Sequence, residues 1–218
     1  MLIALSQDAE NQIFPIAFAI VESKTKESWG WFLDCLRCYA TERTGLCLIS
    51  DRHHGLVNYT KDEPTWRPAY AYHRYCARLI SANYVRRHGQ AVGRQVFWAA
   101  QELQPRKFER ELNKTKRFVV TDGPDKGKQK VYDDVMNIPL DRWSFAHDNG
   151  KRYGSLTTNA VECFNGVLKD ARNLLITALV MTTFFKSVEY FTDKSRTTLA
   201  KMNVGHVYSS FATNKYEH

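Results

Sequence analysis

No apolar run in the 218 residues approaches the ~20 needed to cross a bilayer, so a membrane span is not expected. The start, MLIALSQDAENQ, also lacks the basic flank and small-residue cleavage site of a secretory leader. Cysteine is sparse: Cys35, Cys38, Cys47, Cys76 and Cys163 are odd in number and scattered, which does not suit a disulfide framework and points to a reducing, intracellular compartment. Cys35-Leu-Arg-Cys38 has the CxxC spacing of zinc and redox sites. No second CxxC or HxxxH pair accompanies it, so it reads as two small helix residues one turn apart. Internal repeats are lacking as well. Hydrophobic residues at 44% and charged residues at 25% are close to the globular average, which excludes a disordered or fibrous chain.

Positive charge is present in excess. Lys and Arg number 31 against 23 Asp and Glu, a net +8. The stretch from Arg74 to Lys130 holds 14 basic and 5 acidic residues, a net +9, so the remainder carries −1. Regional charge of this kind suits a polyanion, because phosphate neutralisation releases counterions. Arg86, Arg87, Lys114, Lys116 and Arg117 are candidate DNA contacts within it. A solvated basic surface explains the same charge without a ligand.

Residues 2–6 and 13–21 read as two antiparallel strands joined by the polar turn Asp8-Ala-Glu-Asn-Gln12. Trp29, Phe32, Leu33, Leu36 and Ala40 recur at helical spacing and predict a helix covering that sheet, ended by Gly45. Leu46-Cys-Leu-Ile49 is a short continuous apolar run, the pattern of a strand buried on both faces, and Asp51 lies just past its end. A further strand over 69–73 and a helix from Tyr75 to Arg87 follow. From Val92 to Arg117 the pattern is helical, with Phe97, Trp98, Leu103, Phe108 and Leu112 available for packing, and Asp122 to Lys130 reads as a polar loop. The region of about 92–150 is therefore taken as a helical insertion. Helical pattern returns after Asn159 and runs, with a break near Leu174, to about Leu199.

Asp51 in Ile49-Ser-Asp-Arg52 can be read in two ways. A carboxylate past a central strand gathers with ligands at the sheet edge and can hold a divalent ion, but Asp also commonly caps a helix, here one beginning near His53. Glu162 is equally open. It can close a capping box from Asn159, or act from a polar helix face with Asn165, Lys169 and Arg172, at offsets of three, seven and ten, opposite Val161, Phe164 and Leu168. A metal ligand would there stand beside phosphate-binding groups.

The run from Asp8 to Glu22, followed by Glu27-Ser-Trp-Gly-Trp-Phe32, resembles the catalytic core of Mutator-like transposases of plants. Three later blocks agree in family order: Ile49-Ser-Asp-Arg52 with Gly55-Leu56; His73-Arg-Tyr-Cys76 with Asn83; and Arg152-Tyr-Gly-Ser-Leu-Thr-Thr-Asn159 leading to Glu162, Asn165 and Ala171-Arg172. The resemblance implies an α/β fold of the ribonuclease-H-like, DDE transposase or integrase type, a mixed sheet interrupted by a helical insertion. It also implies an Asp, Asp, Glu triad holding two divalent ions, Mg or Mn, for in-line displacement at phosphorus. Asp51 matches the second Asp and Glu162 the Glu, both as catalytic residues and metal ligands. Residues 1–190 are expected to form a partial core and 191–218 a C-terminal extension.

Two departures from the pattern matter. The family's first Asp lies on a strand preceding the one read at residues 2–6, so the chain resembles an N-terminally truncated core without its first strand, and Asp8 belongs to the turn. Where the family places His three residues after the Cys of the Cys76 block, this sequence has Leu79, and His73 reads as a structural or solvent-facing residue rather than a ligand. DNA is the implied partner, a membrane is not, self-association is open to it, and the nucleus is the implied location. Three readings of function stand at this point. They are part of a transposase that cleaves and joins DNA in the complete protein and is inactive alone, a non-catalytic DNA-binding regulator related to the far-red-response family, and a decayed remnant.

Overall fold

The computed structural model describes residues 1–119, 127, 130–169 and 173–216, with backbone alone at 162, 165 and 167. The chain divides into two compact units, each discontinuous in sequence. One comprises Met1–Lys24, Trp31–Ala40 and Asn159–His218, and the other Thr25–Gly30 and Thr41–Thr158.

In the first unit, β1 (Leu2–Gln7) and β2 (Ile13–Ala19) form the expected antiparallel hairpin. Asp8 Oδ1 accepts the Glu10 and Gln12 N–H groups, and Asn11 takes the left-handed conformation at φ 57° that such a turn needs. The register slips between Ala4 and Leu5, so that Leu5 faces Pro15. A proline is tolerated at such a bulge because it has no N–H to contribute to the ladder. Helix α1 (Lys26–Tyr39) buries Phe32, Leu33 and Leu36, three of the predicted face. It ends at Tyr39, earlier than Gly45. Helices α7 (Asn159–Val167) and α8 (Ile176–Asn203) pack on β1 and β2 respectively, on either side of the predicted break at Leu174. A last helix, α9 (Ser210–Tyr216), follows.

In the second unit, β3 (Leu46–Ser50) and β4 (Ala71–Tyr75) pair in parallel, joined by the crossover helix α2 (His54–Asp62). Gly45, at φ 74°, starts this sheet instead of ending α1: its N–H donates to Ala69 O, the first bond of the pair. Beyond β4 the chain is helical. Helices α3 (Ala77–His88), α4 (Gln90–Gln101), α5 (Pro105–Asn113) and α6 (Val131–Met136) enclose a core that includes Ile80, Tyr84, Val96, Phe108, Leu112, Val135 and Trp143. Helices α3 and α4 can touch because Gly93 has no side chain. A Cβ there would overlap Val85 Cγ2 and lie 2.9 Å from Ser81 O.

Three expectations are corrected. The strands do not form one mixed sheet: among the described residues they make two separate two-stranded sheets, because none of those residues supplies a strand to pair the second edges of β1 and β3. For the same reason β3 is half-buried along its length rather than buried on both faces. Trp98 and Leu103, expected in the core, are exposed, while Trp143 and Val131 fill it. The predicted loop from Asp122 to Lys130 falls largely outside the described residues.

Candidate functional site

Asp51 follows the last residue of β3 at the C-terminal end of the parallel pair, and it is exposed. Its Oδ1 accepts the His53 N–H at 3.2 Å. The cap of α2 is His53 itself, whose Nδ1 accepts the Gly55 N–H at 3.2 Å. The capping role read for Asp51 thus belongs to its neighbour, and Asp51 Oδ2 has no hydrogen bond among the described residues. Gly55, in the same block, is a close approach. A Cβ there would lie 2.8 Å from the carbonyl carbon of Thr25.

Behind Asp51 stands His73 on β4, 3% exposed, with both ring nitrogens engaged. Nε2 lies 2.8 Å from Ser50 Oγ and Nδ1 2.9 Å from Thr60 Oγ1. Burial, with the nearby Arg142 and Arg74 charges, lowers its pKa to about 3, so the ring is neutral at physiological pH. His73 is structural, as the sequence suggested.

The Arg152-to-Asn159 block closes onto the same end of β4. Arg152, 1% exposed, donates through Nη2 to the carbonyls of Tyr75 and Arg142. Burial lowers its pKa to about 10, and the neighbouring Cys47 thiol is pushed up to about 11, again chiefly by burial. Tyr153, left-handed at φ 49°, donates through its hydroxyl to Gly45 O at 2.8 Å. Leu156 O accepts the Ala77 N–H, and the Thr158 N–H donates to Cys76 Sγ at 3.3 Å. Cys76 is the buried first cap of α3, with Leu79 half-buried one turn on. These block residues act as connectors, a role that motif spacing alone does not reveal.

Asn159 is the first residue of α7, which makes Glu162 the fourth, one place beyond the capping-box position. Lys169 is exposed just past the helix, and Arg172 lies outside the described residues. Asp51 belongs to the second unit and Glu162 to the first. Among the described residues, which do not include the Glu162 side chain, no three His, Cys, Asp or Glu groups gather as a metal site. The hard, exposed oxygen at Asp51 Oδ2 fits one position in the shell of a divalent ion such as Mg or Mn.

Of the basic candidates, Arg86, Lys114, Lys116 and Arg117 are exposed and Arg87 is half-buried. Several are partly neutralised. Arg87 Nη1 is 3.4 Å from Asp134 and Lys114 Nζ 2.6 Å from Glu111, while Lys116 Nζ sits 4.4 Å over the Tyr132 ring and Arg117 lies 4.9 Å over Phe118. Arg87 and Lys116 therefore meet the same short helix, α6, through Asp134 and Tyr132. Arg74, at the head of the basic stretch, is buried and paired with Asp141 at 3.0 Å, so it does not contribute to the surface.

No curated protein and no solved structure matches the chain. Residues 1–83 match the family model of the MULE transposase domain. That segment, which carries the hairpin, α1, Asp51, the parallel β3–β4 pair and the start of α3, belongs to the MULE transposase family.

Proposed function

We propose that the chain is part of a Mutator-like DDE transposase core that binds DNA and holds divalent metal through Asp51 and Glu162. One observation carries the reading. Asp51 stands exposed at the C-terminal end of a parallel strand pair, where α/β folds gather their ligands, and its capping role is already filled by His53. The element order of hairpin, helix, strand, helix and parallel strand supports a partial ribonuclease-H-like core over 1–190. A helical, basic insertion at about 92–150 and a C-terminal extension over 191–218 complete the proposed organisation.

Two divalent ions, Mg or Mn, would supply activation of the nucleophile and stabilisation of the leaving oxygen during phosphoryl transfer. The protein's own part is to hold and aim carboxylates and to bind the DNA backbone. Asp51 and Glu162 are the carboxylate pair. Arg86, Arg87, Lys114, Lys116, Arg117, Lys169 and Arg172 are the backbone contacts, and the nucleus is the place of action. The 218 residues contain counterparts of two of the three family carboxylates, so the chain alone binds DNA without cleaving or joining it.

The test compares this chain with a version extended by an Asp-bearing family strand, on DNA with matched element ends and Mg or Mn. Cleavage by the extended form alone, lost in Asp51→Asn, is expected. Cleavage by the extended form that survives both Asp51→Asn and Glu162→Gln would overturn the assignment of those two residues. A second reading, a DNA-binding regulator related to the far-red-response family, is favoured by the basic groups of α3 and of the turn at Lys114–Arg117, which need no metal to act.

A further inference from the structure

Helix α8 carries apolar residues on two faces. The inner face, with Leu179, Thr183 and Tyr190, turns to its own unit, where Tyr190 meets Phe164 edge-on at 5.7 Å. At ~100° per residue the opposite side gathers Met181, Phe184, Phe185 and Val188 into one stripe. These are 53, 53, 59 and 41% exposed. Leu174, Leu175, Ile176 and Val180 extend the apolar surface towards the start of the helix and are exposed too. A helix apolar on both sides is one that expects a second neighbour.

We infer that this outer face is a two-fold interface with a second copy of the chain, formed by antiparallel pairing of α8 about an axis between Phe184 and Phe185. Three features select that occupant. The stripe is palindromic in spacing. Rotation about the point between Phe184 and Phe185 sets Met181 against the partner's Val188 and Phe184 against the partner's Phe185, the self-complementarity of an isologous contact. The residues from Asn173 to Phe185 carry no charge, and Lys186, the first that does, is bonded to Glu189 at 2.7 Å and points to the other side of the helix. Nothing along the seam therefore repels a like surface or recognises a charged partner. The eight apolar side chains together expose on the order of 800 Å², the share one partner gives to an interface of standard size.

Sedimentation velocity of the 218-residue chain from about 1 to about 100 μM tests this, with a monomer–dimer equilibrium expected in that range. Raising salt should leave the dimer intact or strengthen it, since both copies carry net +8 and the seam is uncharged. Phe184→Glu with Phe185→Glu should weaken the dimer on the order of 100-fold or more while leaving the far-ultraviolet circular dichroism unchanged. Should that variant fail to fold, Met181→Cys with Val188→Cys, with Cys38 and Cys163 replaced by Ser, reads the register directly. The double variant should form a disulfide-linked dimer and neither single variant should. A chain that stays monomeric, one that aggregates without regard to Phe184, or one that is monomeric yet binds neutral phosphatidylcholine vesicles through this face would overturn the inference.

Discussion

His73 Nε2 lies 2.8 Å from Ser50 Oγ across the parallel β3–β4 pair, and the same hydroxyl lies 2.6 Å from the carbonyl oxygen of Asp51. On its other side His73 meets Thr60, whose hydroxyl also reaches Leu56 O at 3.0 Å. A neutral imidazole donates through one nitrogen and accepts through the other. Only one of the two hydroxyls can then turn its hydrogen to a backbone carbonyl, while the other gives it to the ring. The tautomer of His73 is thereby coupled to the backbone that presents Asp51.

That buried ring makes stability depend on pH. Its folded pKa, lowered to about 3, lies below the ordinary value of 6.5, so the unfolded chain binds the proton more readily. The contribution is complete above pH ~6.5 and is lost as pH falls towards 3, with a slope approaching ~1.4 kcal/mol per unit. Chemical denaturation at pH 7, 6, 5 and 4 should show this slope in the native chain and its reduction in His73→Gln. Parallel pH profiles would show that His73 does not titrate in this way.

Glu10 organises the end of the chain. It pairs with Lys201 and accepts the N–H groups of Ser210 and Phe211, which lowers its pKa to about 2, the Lys201 bond being the largest cause. This carboxylate contributes above pH ~4.5 and ceases to do so as pH falls through about 2. Glu10→Gln should speed hydrogen exchange at Ser210 and Phe211 at neutral pH and leave the melting temperature nearly unchanged. Equal exchange in both proteins would mean that α9 is held by other contacts.

Much of the architecture was legible because it rests on local pattern. Alternation and the Asp8 turn marked the hairpin, and the polar gap near Leu174 separated α7 from α8. What was missed depends on contacts remote in sequence. Gly45 reads as a helix stop until Ala69 O is seen to accept its N–H, and Trp98 shares a helical period with buried residues without showing which face is covered. Asp51 was open between cap and ligand because the adjacent His53 is an unusual cap. The part of Arg152 in holding the carbonyls of Tyr75 and Arg142 could be suspected only from an arginine placed beside Tyr153 and Gly154.

Neutralising Arg86, Arg87, Lys114, Lys116 and Arg117 together should weaken DNA binding. It should also flatten the slope of log affinity against log salt, by about 0.9 for each duplex phosphate that no longer has a cationic partner. Because Arg87 and Lys114 already have acidic partners, the change should be smaller than five independent phosphate pairs would give. Fluorescence anisotropy on a random duplex over a salt series measures it. An unchanged slope would remove this stretch from the DNA surface.

The position of Glu162, fourth in α7, separates its two roles. Gln serves in a capping box but is a poorer ligand for a hard cation than a carboxylate. Glu162→Gln should keep the metal-free melting temperature and lose the stabilisation given by Mn or Mg. A fall in metal-free stability with the metal response intact would make it a cap.

The most direct measurement of the central claim, that Asp51 is a metal-holding carboxylate of a MULE transposase core, is a Mn titration followed by electron paramagnetic resonance. Binding diminishes the free-ion signal. The native chain should bind Mn, and Asp51→Asn should weaken that binding at least ~10-fold, an ionic oxygen ligand having been replaced by a neutral one. The metal-free circular dichroism and melting temperature of Asp51→Asn should match the native chain, since the α2 cap is His53. Mn binding of the same strength in both proteins would contradict the account.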